Sequence, residues 1–223
     1  RAKKLLAAYG IPVTAEVLTQ TAQQACEAAG RIGFPVVLKV QSPDVPHKTE
    51  AGGVRTGLDN LQEVAAAFDA IVASVRAHVP NALIEGVLVQ EMVEGGVEVI
   101  AGINNDPLFG PALMFGLGGI FTEVLQDVAF RLLPLTRSMA LDLVHQVKGY
   151  ALLTGAPGRP ACDVDALADA LCRLGAMAPD LKTHLAELDI NPPFVLPAGR
   201  GVKAGDALIK PRIGTGLHRG DGA

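Results

Sequence analysis

Residues 86–103 read GVLVQEMVEGGVEVIAGI, and the expected fold hangs on this stretch. Two apolar runs, 86–93 and 97–103, are rich in β-branched residues and are divided by Glu94-Gly95-Gly96. That punctuation predicts two strands paired across a glycine turn. It also marks a seam near 93–96 between two parts of the chain. Upstream, VVLKV at 36–40 predicts a buried strand and 54–58 another. Between the second of these and the seam, Asn60 with Glu63 is a capping-box-like start. The helix it opens runs to about residue 78, with apolar positions at helical spacing from Leu61 to Val75. Nearer the N-terminus, 2–9 predicts a short helix closed by Gly10. A strand at 11–18 and a helix at 21–31 capped by Thr21 follow. Downstream, strands are expected near 111–115 and 128–133, around the glycine loop 116–119. Helices at 136–147 and 163–177 come next, then a strand at 184–190 and a closing hairpin from 194–196 and 201–209. Residues 210–223 carry no pattern and are expected to be a disordered tail. Strands alternate with helices, yet several are hairpin neighbours. The fold class is therefore α/β of mixed α+β character in two lobes, not a simple doubly wound sheet.

Composition narrows the function. The 223 residues are 49% hydrophobic and 19% charged, which excludes intrinsic disorder. Nineteen basic against 23 acidic residues give a net charge of −4, which argues against nucleic-acid and anionic-membrane partners. Cys26, Cys162 and Cys172 form no CxxC pair, so reduced thiols in a cytoplasmic protein are expected rather than a disulfide framework or zinc site. No apolar run is long enough for a membrane span. The chain starts at Arg1 without an h-region, so no signal peptide is expected, and an excerpt of a longer polypeptide is one reading.

Charged residues inside apolar strands are the candidates for chemistry. There is no GxxxxGK[ST] loop, HExxH or GxSxG. Lys39 lies in a buried strand and serves either as a phosphate ligand or as an edge lysine reaching water. Glu91 and Glu98 flank the glycine seam, where a purine and ribose could be wedged, or they line the solvated face of a hairpin. Asp189 and Asn191, with Glu187 before and Asp206 after, offer hard oxygen ligands suited to Mg²⁺, or simply an Asn-Pro turn. His47 stands in the polar loop 41–53 beside Lys48 and before Gly52-Gly53. It is either an exposed loop residue or a phosphoryl carrier assisted by the neighbouring cation. Glu123, Asp127 and Arg131 supply a carboxylate pair and an arginine that could meet a transferring phosphoryl group.

Six blocks occur in order: LLAAYGIPV (5–13), GFPVVLKV (33–40), SPDVPHKTEAGGV (42–54), VLVQEMVEGGVEVIAGINNDPLFGP (87–111), FGLGGIFTEVLQDVAFRLLPL (115–135) and ELDINPPFVLPAGRGVKAGDALI (187–209). Together they resemble the ATP-grasp portion of the ADP-forming (NDP-forming) acyl-CoA synthetases, the group with the acetate–CoA ligase β subunits. The resemblance implies two lobes clasping ATP: 1–20 with 94–209 as the larger, 21–93 as the smaller. It implies that Lys39 holds phosphates, that Gln90, Glu91, Met92 and Val93 form the adenine hinge, and that Glu98 meets the ribose. Asn191, Asp206 and Asp189 would hold Mg²⁺. Gly118, Gly119, Glu123 and Arg131 would line the phosphoryl-transfer site. His47 would take the phosphoryl group from a phosphohistidine on a CoA-binding α subunit or domain and pass it to ADP. The net reaction implied is acyl-CoA + ADP + phosphate ⇌ acid + CoA + ATP. Pro193 and Gly205 depart from the bulkier apolar residues usual in the family. Two other readings stay open: a regulatory nucleotide-binding module of a GNAT-type protein acetyltransferase, and a carboxylate–amine ligase of the wider ATP-grasp class. The motifs alone name neither the acyl group nor a choice between ADP and GDP.

Overall fold

The computed structural model describes residues 2–106, 108–119, 127–155, 158, 160–181 and 183–212. The chain falls into two compact units, Thr14–Glu94 and Arg1–Val13 with Gly95–Ala223. Helix α1 (Ala2–Ala8) belongs to the second, larger unit.

The smaller unit contains β1 (Glu16–Thr19), α2 (Ala22–Ile32), β2 (Val36–Gln41), β3 (Val54–Leu58), α3 (Leu61–His78) and β4 (Gly86–Glu91). Its sheet runs β1-β4-β2-β3, with every pair antiparallel. Both helices start where the sequence caps them. Thr21 Oγ1 accepts from Gln24 N–H at 3.2 Å, and Asn60 Oδ1 accepts from Glu63 N–H at 2.9 Å. Glu63 in turn accepts from Asp59 N–H at 2.8 Å. Alternate strand residues point to one face. Val36, Leu38, Val40, Val87 and Val89 are fully buried against Ala25, Ala28 and Ala29 of α2 and Val64, Phe68 and Ile71 of α3. Each such valine or leucine contributes about 1.5–3 kcal/mol on burial.

The larger unit contains β5 (Val97–Asp106), β6 (Gly110–Leu117), β7 (Val128–Leu132), α4 (Arg137–Gln146), the 3₁₀ turn Lys148–Leu152, α5 (Val164–Leu181), β8 (Leu185–Ile190), β9 (Pro193–Val195), β10 (Val202–Ala204) and β11 (Ala207–Pro211). Its strand order is β10-β9-β5-β6-β7, and β8 pairs with both β5 and β11. The N-terminal end of β5 meets β9 at Val97 and Glu98, and its middle meets β8 at Ala101–Asn104. Residues 191–192 sit at that change of partner. Val99, Ala101, Ile103, Leu113, Phe115, Leu188 and Ile190 form the core with Leu143 and Val144 of α4 and Leu167, Leu171 and Leu174 of α5. Among the described residues no helix is long and apolar enough to cross a membrane.

Three expectations are corrected. The strands on either side of residues 94–96 do not pair with each other: β4 lies between β1 and β2, and β5 lies in the other unit. Gly96 serves instead as a close approach, since a Cβ there would come within 3.2 Å of Phe194 Cβ. Residues 14–20 go with the smaller unit and not the larger, because β1 pairs along the whole of its length with β4. Lys210 and Pro211 are the end of β11, paired with β8, and not part of a patternless tail.

Candidate functional site

In the smaller unit, Lys39 and Gln90 share one face. Lys39 stands opposite Leu88, and Val37 opposite Gln90, while the alternating Val36, Leu38, Val87 and Val89 face the helices. Lys39 is half-buried on the face turned away from α2 and α3. Gln90 is buried, and its Nε2 donates to Thr14 Oγ1 at 2.8 Å. Glu91 follows the other parity, and its Oε2 accepts from Ala15 N–H at 3.1 Å. Met92 N–H donates to Pro35 C=O at 3.2 Å. Val93 is half-buried, and its N–H donates to no acceptor among the described residues.

His47 is exposed on the loop between β2 and β3. The loop is pinned on both sides of it. Asp44 Oδ2 accepts from Leu83 N–H at 2.7 Å, and the Val45 side chain is buried. Gly53 N–H donates to Lys48 C=O at 2.7 Å, and Val40 N–H to Gly53 C=O at 2.7 Å. A Cβ on Gly53 would lie 2.6 Å from Val40 Cγ1 and 3.0 Å from the Lys48 carbonyl oxygen, so only glycine closes this turn. The imidazole is thereby offered to solvent from a fixed backbone.

In the larger unit, Glu98 is exposed and adjoins Gly118. Gly118 N–H donates to Glu98 C=O at 2.9 Å, and a Cβ on Gly118 would sit 3.0 Å from the Glu98 backbone. Gly119 follows with φ +65°, in the left-handed region. Across the sheet, Asp189 opposes Gly102 and Leu208, on the face away from the core residues Leu188 and Ile190. Asn191 N–H donates to Asp206 C=O at 3.2 Å, which joins the two strand ends that carry the expected metal ligands. Partial burial, then the neighbouring Glu187 and Asp206 carboxylates, push the Asp189 carboxyl above the ordinary carboxylate range, while Lys210 opposes the shift. Lys210 Nζ donates to Glu187 Oε2 at 2.7 Å.

Among the described residues no three His, Cys, Asp or Glu side chains converge as a ready cation site. Two carboxylates and one amide nevertheless gather at adjacent strand ends as hard oxygen donors, and their mutual repulsion is what a divalent cation would relieve. That donor set fits Mg²⁺ held jointly with phosphate oxygens and water.

The strand register sets the face on which Arg131 starts. Arg131 stands opposite Leu113 in the β6–β7 register, and directly opposed residues share a face. It therefore lies on the core side with Ala129, whereas Glu98 and Asp189 lie on the other side. Its Nε is buried without a hydrogen-bond partner among the described residues. Asp127 is also not a free carboxylate of the site: its two oxygens accept from Lys148 and Gly149 N–H, each at 2.8 Å, and so cap the 3₁₀ turn. Glu123 lies outside the described residues. The bonds from Gln90 and Glu91 side chains have no local signal: the strand pattern offers Glu91, and the resemblance Gln90, as ligand groups, and their partners at 14–15 lie 76 residues away.

The model of the ATP-grasp domain family matches residues 1–210, the whole of both antiparallel sheets except the last residue of β11. The chain is 41% identical over 208 residues to the β subunit of acetate–CoA ligase (ADP-forming) II of Pyrococcus furiosus, covering 93% of this chain and 88% of that one. It belongs to the ATP-grasp family of the ADP-forming acyl-CoA synthetases. Solved structures agree. The dinucleotide-forming acetyl-coenzyme A synthetase 1 of Ca. Korarchaeum cryptofilum, in complex with coenzyme A, Ca-AMPCP and HgCl⁺, superposes with a TM-score of 0.89 at 45% identity, covering 95% of this chain and 91% of that one. A form of the same enzyme with coenzyme A and Mg-AMPPCP, its phosphohistidine segment pointing towards the nucleotide binding site, gives 0.82 at 41% identity, with 95% and 90% covered.

Proposed function

We infer that this chain is the nucleotide-handling subunit or domain of an ADP-forming acyl-CoA synthetase, an acid–thiol ligase. It would act with a CoA-binding α subunit or domain that carries the first phosphohistidine. The β-subunit relative and the nucleotide-bound structures support the reading. The relatives are ligases, and nothing observed favours a regulatory module of a GNAT-type acetyltransferase.

The observation that carries the mechanism is His47, an exposed imidazole on a pinned loop that follows the strand bearing Lys39. A neutral ring nitrogen attacks the phosphorus of the partner's phosphohistidine. The partner's N–P bond breaks as the His47 N–P bond forms; the N–H proton on the other His47 ring nitrogen passes to solvent and the partner ring takes one up, so the partner leaves as neutral imidazole. A β-phosphate oxygen of ADP then displaces His47, giving ATP. Lys39 would hold nucleotide phosphates as a cation, residues 90–93 the base, and Glu98 the ribose. Gly118 and Gly119 bring backbone close to the phosphates. Asp189, Asn191 and Asp206 would hold Mg²⁺, which supplies charge neutralisation on the phosphates when bound. Cys26, Cys162 and Cys172 form no disulfide, which suits a cytoplasmic setting.

The test mixes the chain with its cognate CoA-binding partner, acyl-CoA, ADP and phosphate. H47N is expected to abolish ATP formation and the ³²P label on this chain, while ADP still binds. Undiminished ATP formation by H47N would remove the phosphoryl-carrier role and favour a ligase that works without the histidine.

A further inference from the structure

A regular antiparallel pair between Ala15 and Glu91 would exchange two backbone hydrogen bonds, one in each direction. The backbone makes one of them, from Glu91 N–H to Ala15 C=O at 2.9 Å. The return bond runs from Ala15 N–H to Glu91 Oε2 at 3.1 Å, so a carboxylate stands in for the Glu91 carbonyl. One residue earlier, the buried Gln90 side chain holds Thr14 Oγ1 at 2.8 Å. One residue later, Met92 N–H holds Pro35 C=O at 3.2 Å. Three consecutive residues are thus each tied to neighbouring backbone or to a buried hydroxyl. The next donor along, Val93 N–H, has no acceptor among the described residues.

We propose that Gln90 and Glu91 are positioning residues whose side chains clamp the 90–93 segment to Thr14-Ala15 and so fix the aim of the Val93 N–H. This rests on the reading of 90–93 as the base-binding segment. A fixed donor favours a purine that presents an acceptor there, as adenine does at N1, over guanine, which presents an N–H. The base preference of the protein is then set by two side chains that need not touch the base. Charge assistance makes the Glu91 bond the stronger of the two ties.

The experiment pairs calorimetric titration of ADP and of GDP with hydrogen–deuterium exchange over residues 90–94, on the full chain. E91A is expected to weaken ADP about tenfold and GDP about twofold, the scale of one charge-assisted hydrogen bond, and to speed exchange in the segment. E91Q keeps an acceptor oxygen and should restore both readouts to within about threefold. T14V, nearly isosteric, removes the Gln90 partner and should move both readouts the same way by about threefold. It carries the test if E91A does not fold. Weaker ADP binding with unchanged exchange, or E91Q as impaired as E91A, overturns the clamp. Faster exchange with an unchanged ADP-to-GDP preference shows that the segment does not contact the base, and then the base-binding reading fails instead.

Discussion

Two strand ends carry the polar residues expected to bind nucleotide, and the protein treats them in opposite ways. At the end of β4, Gln90 and Glu91 bond Thr14 and Ala15 within their own unit. At the end of β8, Asp189 lies beside Glu187 and Asp206, and its carboxyl is pushed up by burial and by these like charges. The first set is spent on structure, the second is held in an unfavourable arrangement. A carboxylate whose bonds are satisfied internally stabilises the fold, whereas one crowded by other carboxylates gains most when a cation arrives.

The largest expected break between the two is D189N. Magnesium-dependent ADP binding should fall by roughly 10–100-fold, the range for disturbing a metal site, while the melting temperature at neutral pH rises or holds. E91A, by contrast, should lower binding and stability together. Loss of stability in D189N, measured by thermal melts without metal, would erase the distinction. A second, smaller effect concerns pH. The folded Asp189 carboxyl keeps its proton to higher pH than the unfolded one. The folded state therefore binds more protons between the ordinary carboxylate range and the raised value, and stability falls as pH rises through that interval. Melts across acidic pH should show this slope in the wild type and a flatter one in D189N, and Mg²⁺ should offset the loss.

Asp163 sharpens the contrast with the smallest effect. Its oxygens accept from Ala166 and Gly201 N–H at 3.1 and 2.9 Å, which holds its carboxyl below the ordinary range. Here the folded group loses its proton first, so the contribution is present above the ordinary carboxylate range and lost as pH falls through the lowered value. D163A should cost about 1 kcal/mol, as for a lost helix cap, and shift the melting temperature by about 2–4 °C with ADP affinity unchanged.

Much of this was legible along the chain. The caps at Thr21 and Asn60, the buried strand 36–40 and the break near 93–96 all follow from local pattern, because each is encoded within a few neighbouring residues. Strand partners were not legible. A backbone edge pairs with any other edge, so adjacency across Glu94-Gly95-Gly96 suggested a hairpin where β4 and β5 join different sheets. Nor was the face of Arg131, which a register one residue different would have reversed.

The sequence by itself determined the elements, their capping residues and the ordered motif blocks that mark the ATP-grasp family, since these depend on side-chain period and residue identity. Only the tertiary structure decided which polar groups are already bonded and which are crowded. Gln90, Glu91 and Asp127 differ from Asp189 in what folding brings beside them, and a carboxylate's chemistry is set by its neighbours in space.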